Sequence, residues 1–323
     1  MNAIELENIR HVFRVTTGTI RRRSKEIVAV DGVSLQIEEG ELFGLLGPNG
    51  AGKTTIVKIL TTLLIPTAGR VTVLGFDAVK DAAALRFQVG FVLGGDRGLY
   101  YRLSGRDNLR YFAELYGIDT KKVRSRIEEM LELVGLRDRA DERVAGYSRG
   151  MKQRLHIART LLHDPKVLFL DEPTMGLDPV GARDLREIIK RLQSEQKTIL
   201  LTTHYMFEAD ALCQRIAILN EGRIVAQGTP EELKELVSDQ SVVELEVFGA
   251  ETEHLDRLRG LDYVDSVSIE SHDLRQVLRV QTKLGERAVP GLLASLENLD
   301  VGKVSVREAT LEDAYVHLVG ESE

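Results

Sequence analysis

Over the first ~230 residues, short apolar runs with a period of two alternate with stretches of helical period, the pattern of an α/β domain. Residues 4–13 and 29–37 read as strands. Glu41-Leu42-Phe43-Gly44-Leu45-Leu46 reads as a buried strand and Thr55-Ile56-Val57-Lys58-Ile59-Leu60 as a helix, with further strands at 70–74 and 89–93. The period changes at about 104–163. Residues 108–116, 122–134 and 149–162 carry apolar residues at helical spacing with no strand pattern between them, which predicts a helical insertion within the α/β core. Strand patterns resume at 167–170, 198–202, 215–219 and 223–227, the last two joined by a turn at Asn220-Glu221-Gly222.

Thr229-Pro230-Glu231-Glu232 opens a short helix by hydroxyl capping and a proline at the first helical position. The polar stretch Ser238-Asp239-Gln240-Ser241 then marks a boundary between a domain of residues 1–237 and one of residues 241–323. Beyond it the order is strand (242–248), helix (252–258), strand (263–269), strand (277–281), helix (288–296) and strand (303–306). Strand–helix–strand twice over predicts a small α+β, ferredoxin-like domain. The sequence shows no low-complexity segment and no repeat of short period.

Composition narrows the function classes. The 323 residues suit two domains, and 43% hydrophobic with 29% charged residues predicts a soluble globular chain. A net charge of −7 argues against a dedicated nucleic-acid binder. Arg21-Arg22-Arg23-Ser24-Lys25 is a local basic exception and reads as a solvated loop. The single Cys213 excludes an internal disulfide and fits a reducing cytoplasm. There is no signal sequence, and no apolar run approaches the ~18–20 residues that span a bilayer, so any membrane span would belong to another polypeptide.

The candidate chemistry starts at Gly47-Pro48-Asn49-Gly50-Ala51-Gly52-Lys53-Thr54, a complete G-x-x-x-x-G-K-[ST] between a strand and a helix. Its backbone N–H groups converge on a polyphosphate, Lys53 reaches the outer phosphates, and the Thr54 hydroxyl is available to Mg²⁺. The expected nucleotide contacts are Gly47, Asn49, Gly50, Gly52, Lys53, Thr54 and Thr55. The apolar strand ending in Asp171-Glu172 places one carboxylate to hold Mg²⁺ through water and the next to polarise an attacking water. Tyr147-Ser148-Arg149-Gly150 opens a helix as a phosphate cradle or as a plain N-cap, and on its own the cap is the better reading. His204 ends an apolar strand on the same face. A lone histidine there is usually structural, but beside these motifs contact with a γ-phosphate is favoured.

The ordered set, from about residue 4 to 235, resembles the ATP-binding subunit of an ABC transporter: Walker A at 47–54, Walker B at 168–171, and Glu172 as catalytic carboxylate. Ser148 and Gly150 match the ABC signature, Gly176-Leu177-Asp178 the D-loop, and His204 the switch histidine. Phe13 falls where the family keeps an aromatic that stacks on adenine. The resemblance implies two such domains packed head to tail, as a homo- or heterodimer, with each ATP between one subunit's Walker A and the other's Ser148 and Gly150. It also implies a helical insertion grooved for a polytopic membrane permease subunit. The carboxyl-terminal Glu308-Ala309-Thr310-Leu311-Glu312-Asp313-Ala314-Tyr315 resembles the tail of ATPase subunits of ABC-2-type exporters of drugs, lipids, polysaccharides or ions.

Three departures from the family pattern stand out. The signature's first glycine is Arg149 and its final glutamine Met151. Where the family keeps a glutamine after the strand at 89–93, this chain has Gly94-Gly95-Asp96-Arg97-Gly98-Leu99, and Gln88 before the strand is a poor substitute. The loop at 15–26 is longer than usual. The expected function is ATP hydrolysis powering transport, export before import, from the cytoplasmic face of the cell membrane, with ATP and Mg²⁺ as cofactors and no nucleic acid as partner. A non-transport ABC ATPase of translation or repair is the rival from another class. It is disfavoured by the single cassette and by the lack of coiled coils or basic arms.

Overall fold

The computed structural model describes residues 1–17, 23–93, 98–237, 241–272, 275–296 and 299–320. The chain divides into two compact units, Met1–Gln227 and Gly228–Glu323.

In the first unit the order is β1 (Asn2–Thr17), β2 (Arg23–Glu38), β3 (Leu42–Leu46), α1 (Lys53–Leu60), β4 (Ala68–Val73), β5 (Phe76–Asp77), α2 (Ala82–Leu85) and β6 (Val89–Leu93). Then come α3 (Gly105–Leu115), α4 (Thr120–Leu133), α5 (Arg149–Leu161), β7 (Val167–Asp171), α6 (Pro179–Ser194), β8 (Thr198–Thr203), α7 (Met206–Leu212), β9 (Arg215–Asn220) and β10 (Arg223–Gly228). A six-stranded sheet runs β10-β9-β3-β8-β7-β6, and β9, β3, β8, β7 and β6 pair in parallel. All residues of β3, β7 and β8 are buried, as strands covered on both faces must be. Parallel pairing puts the carboxyl ends of β3, β7 and β8 together: Leu46 lies opposite Thr203, and Asp171 opposite Thr202. That end carries the site. A second sheet, β2-β1-β4-β5, is antiparallel and shares an apolar core of Ile4, Ile9, Val30, Ile37, Ile56, Leu60 and Phe169 with α1 and the central strands.

The helical insertion consists of α3, α4 and α5, with isolated turns and one β-bridge, Ser104 to Arg143, between them. All three helices start at side-chain caps: Ser104 accepts from Asp107 N, Asp119 from Lys121 N, and Ser148 from Met151 N.

Two expectations are corrected here. Of the stretch at 15–26, residues 15–17 and 23–26 are strand rather than loop, because the β1–β2 ladder continues from Phe13 opposite Ile27 to Thr17 opposite Arg23. Within that ladder Arg14 lies opposite Glu26 and makes an ion pair with it at 3.1 Å. Of the basic run, Arg23, Ser24 and Lys25 therefore lie in β2, while Arg21 and Arg22 are outside the described residues. Second, α6 and α7 stand where the pattern analysis assigns no helix. Asp178 caps α6, Pro179 occupies its first position, and Leu185, Ile188, Ile189 and Leu192 form its buried stripe.

The second unit contains α8 (Pro230–Glu235), β11 (Ser241–Phe248), α9 (Thr252–Arg259), β12 (Ser266–His272), β13 (Arg275–Thr282), α10 (Val289–Ser295), β14 (Asp300–Glu308) and α11 (Leu311–Gly320). Its sheet order β12-β13-β11-β14 is antiparallel throughout, the ferredoxin-like arrangement. Val243, Leu245, Val247, Leu278 and Val280 face α9 and α10 through Leu255, Leu258 and Leu292. Helix α8, placed by the polarity pattern with the ATPase domain, groups with this second unit and packs on α11.

Asp313 opens α11. It accepts from Arg307 Nη1 at 2.6 Å, Arg307 Nη2 at 3.2 Å and Thr310 N at 2.7 Å. Burial opposes ionisation of this carboxyl, but Arg307 and the two Thr310 donors outweigh it and hold the carboxyl below its ordinary value. Its stabilising contribution is therefore complete above the unfolded carboxylate range and lost as pH falls through the lower folded value. Asp313→Ala is expected to cost about 2–3 kcal/mol at pH 7, with the gap to wild type closing as the buffer is acidified, in urea unfolding of the full chain.

Candidate functional site

The loop at 47–54 links the buried β3 to α1. Gly52 adopts φ 108°, and a Cβ there would fall 2.4 Å from Ala29 O, so only glycine allows the loop to close against β2. Lys53 is 4% exposed. Its Nζ donates to Gly47 O at 2.6 Å and Pro48 O at 3.1 Å, and stands 3.5 Å from Glu172 Oε1. Burial pulls the Lys53 pKa below its ordinary value, against the opposing attraction of Glu172 and Asp171.

Asp171, at the end of β7, accepts from two hydroxyls: Thr54 Oγ1 at 3.0 Å and Thr202 Oγ1 at 2.5 Å. Glu172 follows with φ 47°, a left-handed backbone that non-glycine residues seldom adopt. It is held there because its N–H donates to Thr202 O at 3.0 Å. The turn aims the carboxylate back over the loop, with Lys53 on one oxygen and His204 Nδ1 3.3 Å from the other. That last approach lacks the angle of a hydrogen bond. The His204 ring packs on Tyr205 at 4.1 Å between centroids.

The fold thus brings Lys53, Thr54, Asp171, Glu172 and His204 together. Asn49 and Gly50 are exposed at the loop's rim, Gly47 is buried at its base, and Thr55 is half-buried in the first turn of α1. The donor set beside the loop is a hydroxyl and a carboxylate, hard oxygens that suit Mg²⁺. Among the described residues no cluster of three or more His, Cys, Asp or Glu could hold a metal alone, so the remaining ligands would be phosphate oxygens and water.

Phe13 is partly exposed on β1, edge-on to His11 at 4.6 Å. His11 pairs with Val30, whose side chain borders Gly52, so this end of the hairpin flanks the phosphate loop. Ser148 and Gly150 make no hydrogen bond to the Lys53–Glu172 cluster among the described residues; Ser148 caps α5 at 3.2 Å on Met151 N. Asp178 caps α6, accepting from Gly181 N at 2.7 Å. Gly94, Gly95, Asp96 and Arg97 lie outside the described residues. Gln88 precedes β6, whose far end pairs Leu93 with Asp171. A strand of this length puts it roughly 16 Å from the metal-side carboxylate.

Two groups escaped the sequence reading. Thr202 ties β8 to β7 through both Asp171 and Glu172. Glu208, 2% exposed on α7, accepts from Thr174 Oγ1 at 3.1 Å, and the Thr203 hydroxyl also favours its charged form. Burial pushes its carboxyl above the ordinary carboxylate range despite these hydroxyls. It links the residue two beyond Glu172 to the residue before His204. Helix α7 begins at Met206 and has seven residues, so no periodic signal in the sequence singles Glu208 out. Glu208→Gln, which keeps an acceptor for Thr174, is expected to retain turnover within about threefold. Glu208→Ala should lower kcat on the order of ten- to a hundredfold by loosening both catalytic segments, in steady-state ATPase assays.

Comparison with known proteins agrees with this geometry. The ABC transporter family profile matches residues 30–175. The ABC transporter ATP-binding protein NatA of Bacillus subtilis is 44% identical over 213 residues, covering 66% of this chain and 87% of NatA. The daunorubicin resistance ATP-binding protein DrrA3 of Streptomyces coeruleorubidus is 37% identical over 309 residues, 95% of this chain and 96% of the relative. The Nod factor export ATP-binding protein I of Rhizobium etli is 36% identical, covering 90% of this chain and 88% of the relative. The cassette MJ0796, solved as a dimer in a post-hydrolysis state with ADP and Pi, superposes with a TM-score of 0.61 at 26% identity, over 70% of this chain and 98% of its own. The protein belongs to the ATP-binding proteins of ABC transporters, a family of ATPases.

Proposed function

We propose that this chain is the ATP-hydrolysing subunit of an exporter, working at the cytoplasmic face of the membrane. It would pair head to tail with a second ABC ATPase subunit and dock on a polytopic permease. The observation that carries hydrolysis is the joining of Lys53, Asp171, Glu172 and His204 at the carboxyl ends of β3, β7 and β8. Export is supported by relatives named for drug resistance and Nod factor export that match 90% or more of this chain. Among the described residues no helix is long and apolar enough to cross a membrane, so the permease is a separate chain in this reading.

In the reaction, the loop's N–H groups and Lys53 take the β- and γ-phosphates, Lys53 exchanging Gly47 O and Pro48 O for phosphate oxygens. Mg²⁺, held by Thr54 and Asp171, would neutralise charge on the β,γ-phosphates. Glu172 orients a water in line with the γ-phosphorus and accepts its proton as the new O–P bond forms. The bond to the β,γ-bridging oxygen breaks and its electron pair stays on ADP. His204 donates to the γ-phosphate and steadies Glu172. Ser148 and Gly150 of the opposite subunit close over the γ-phosphate, Asp178 lies at the same interface, and Phe13 stacks on the adenine.

The permease would meet the helical insertion. Tyr100, Tyr101, Leu103, Tyr111 and Leu115 form an exposed aromatic and aliphatic patch there, with the Tyr100 and Tyr111 rings edge to face at 4.8 Å. The test is affinity purification from membranes. Copurification of a polytopic protein, with ATP-dependent loss of a substrate from cells, is expected. A substrate-binding protein in the same complex and ATP-dependent uptake would replace export by import.

A further inference from the structure

Position 149 is glycine in the ABC signature and arginine in this chain. Ser148 caps α5, so Arg149 is the first helical residue. It is exposed, and among the described residues it has no hydrogen bond or ion pair. Its guanidinium instead covers Gly176. A Cβ at position 176 would fall 2.3 Å from Arg149 Nη1, 2.5 Å from Cζ and 2.8 Å from Nη2. Gly176 has φ 70°, so glycine there serves both the turn and the seat of the guanidinium. The turn is closed by Leu177 N on Thr174 O at 3.0 Å and ends at Asp178, the cap of α6. Next to it, a Cβ on Gly150 would lie 3.8 Å from Gly181 Cα, so the first turns of α5 and α6 sit side by side.

We propose that Arg149 is a positioning residue that clasps the turn at 176–178 to the start of α5 within one subunit. Ser148, Gly150 and Asp178 are then presented to the second subunit as a single surface. The functional consequence rests on the head-to-tail pairing above; the clasp itself does not. A planar guanidinium can lie flat on a glycine while its N–H groups stay hydrated, which the compact ammonium of lysine does less well.

The test is amide hydrogen exchange of the nucleotide-free protein, comparing wild type, Arg149→Ala, Arg149→Lys, Gly176→Ala and the Arg149→Ala/Gly176→Ala pair. Leu177 and Asp178 are expected to exchange about fivefold faster in each alanine variant. The pair should exchange no faster than Gly176→Ala alone, because a side chain at 176 already displaces the guanidinium and removing Arg149 then takes away nothing more. Arg149→Lys should fall between wild type and Arg149→Ala. Unchanged exchange in Arg149→Ala, or additive effects in the pair, overturns the clasp. In a Glu172→Gln background, Arg149→Ala should raise the ATP concentration for half-maximal dimerisation about three- to tenfold, with monomer affinity for a fluorescent ATP analogue unchanged. Faster exchange without that shift overturns the positioning role. If the Glu172→Gln protein with Arg149 intact does not dimerise in ATP, the head-to-tail reading fails, and the exchange data still decide the clasp.

Discussion

Glu172→Gln is expected to bind ATP as the wild type does while hydrolysing it about 10²- to 10⁴-fold more slowly. The amide has the shape of the carboxylate, and the left-handed backbone at 172 is held by Thr202 O rather than by the side chain, so the site keeps its form. What disappears is the carboxylate that stands between Lys53 and His204 and is placed to accept a proton from water. The phosphate cradle, Lys53 and the Thr54–Asp171 pair are untouched. ATP should therefore persist at the interface, and the variant should accumulate as an ATP-bound dimer on size exclusion. Turnover near wild type would remove Glu172 from its role. A monomer saturated with nucleotide would count against head-to-tail pairing.

The strand ends that form the candidate site were legible because their signals are local. A glycine-rich loop between strand and helix, or two carboxylates closing an apolar strand, needs only its own few residues to be read. Parallel pairing then brings the ends of β3, β7 and β8 together without further instruction. Partnerships between segments were not legible. Thr202 acts across the sheet on residues 171 and 172, and nothing in Thr202-Thr203-His204 announces that. Helix α7 has seven residues, too few for a periodic stripe, and so Glu208 passed unseen. The position of α8 depends on α11, some 75 residues later, whereas the polar stretch after it marks a boundary only by composition. The departure at Arg149 was visible as a mismatch, but its seat on Gly176 required the turn to be folded first.

Lys53→Ala is expected to lower kcat/KM by at least about 10³-fold, some 4 kcal/mol of transition-state stabilisation, without lowering the melting temperature of the nucleotide-free protein. The two halves of this expectation have one cause. Lys53 is buried, and burial depresses its pKa more than Glu172 and Asp171 restore it. In the absence of nucleotide, folding therefore works against the charged ammonium. The penalty falls on the protonated form, so it is present at neutral pH. It is relieved as pH rises above the lowered Lys53 pKa, with no further change past the unfolded value. Alanine removes that penalty along with the charge that would meet the phosphates, and Glu172 retains His204 nearby and some solvent. A cation held under strain in the empty loop and satisfied by a polyphosphate is the expected trade of stability for function. Differential scanning fluorimetry of both proteins without nucleotide, beside Mg²⁺-ATPase assays, checks it. Wild-type turnover in Lys53→Ala, or a fall of several degrees in its melting temperature, would show that Lys53 is there to hold the fold rather than the phosphates.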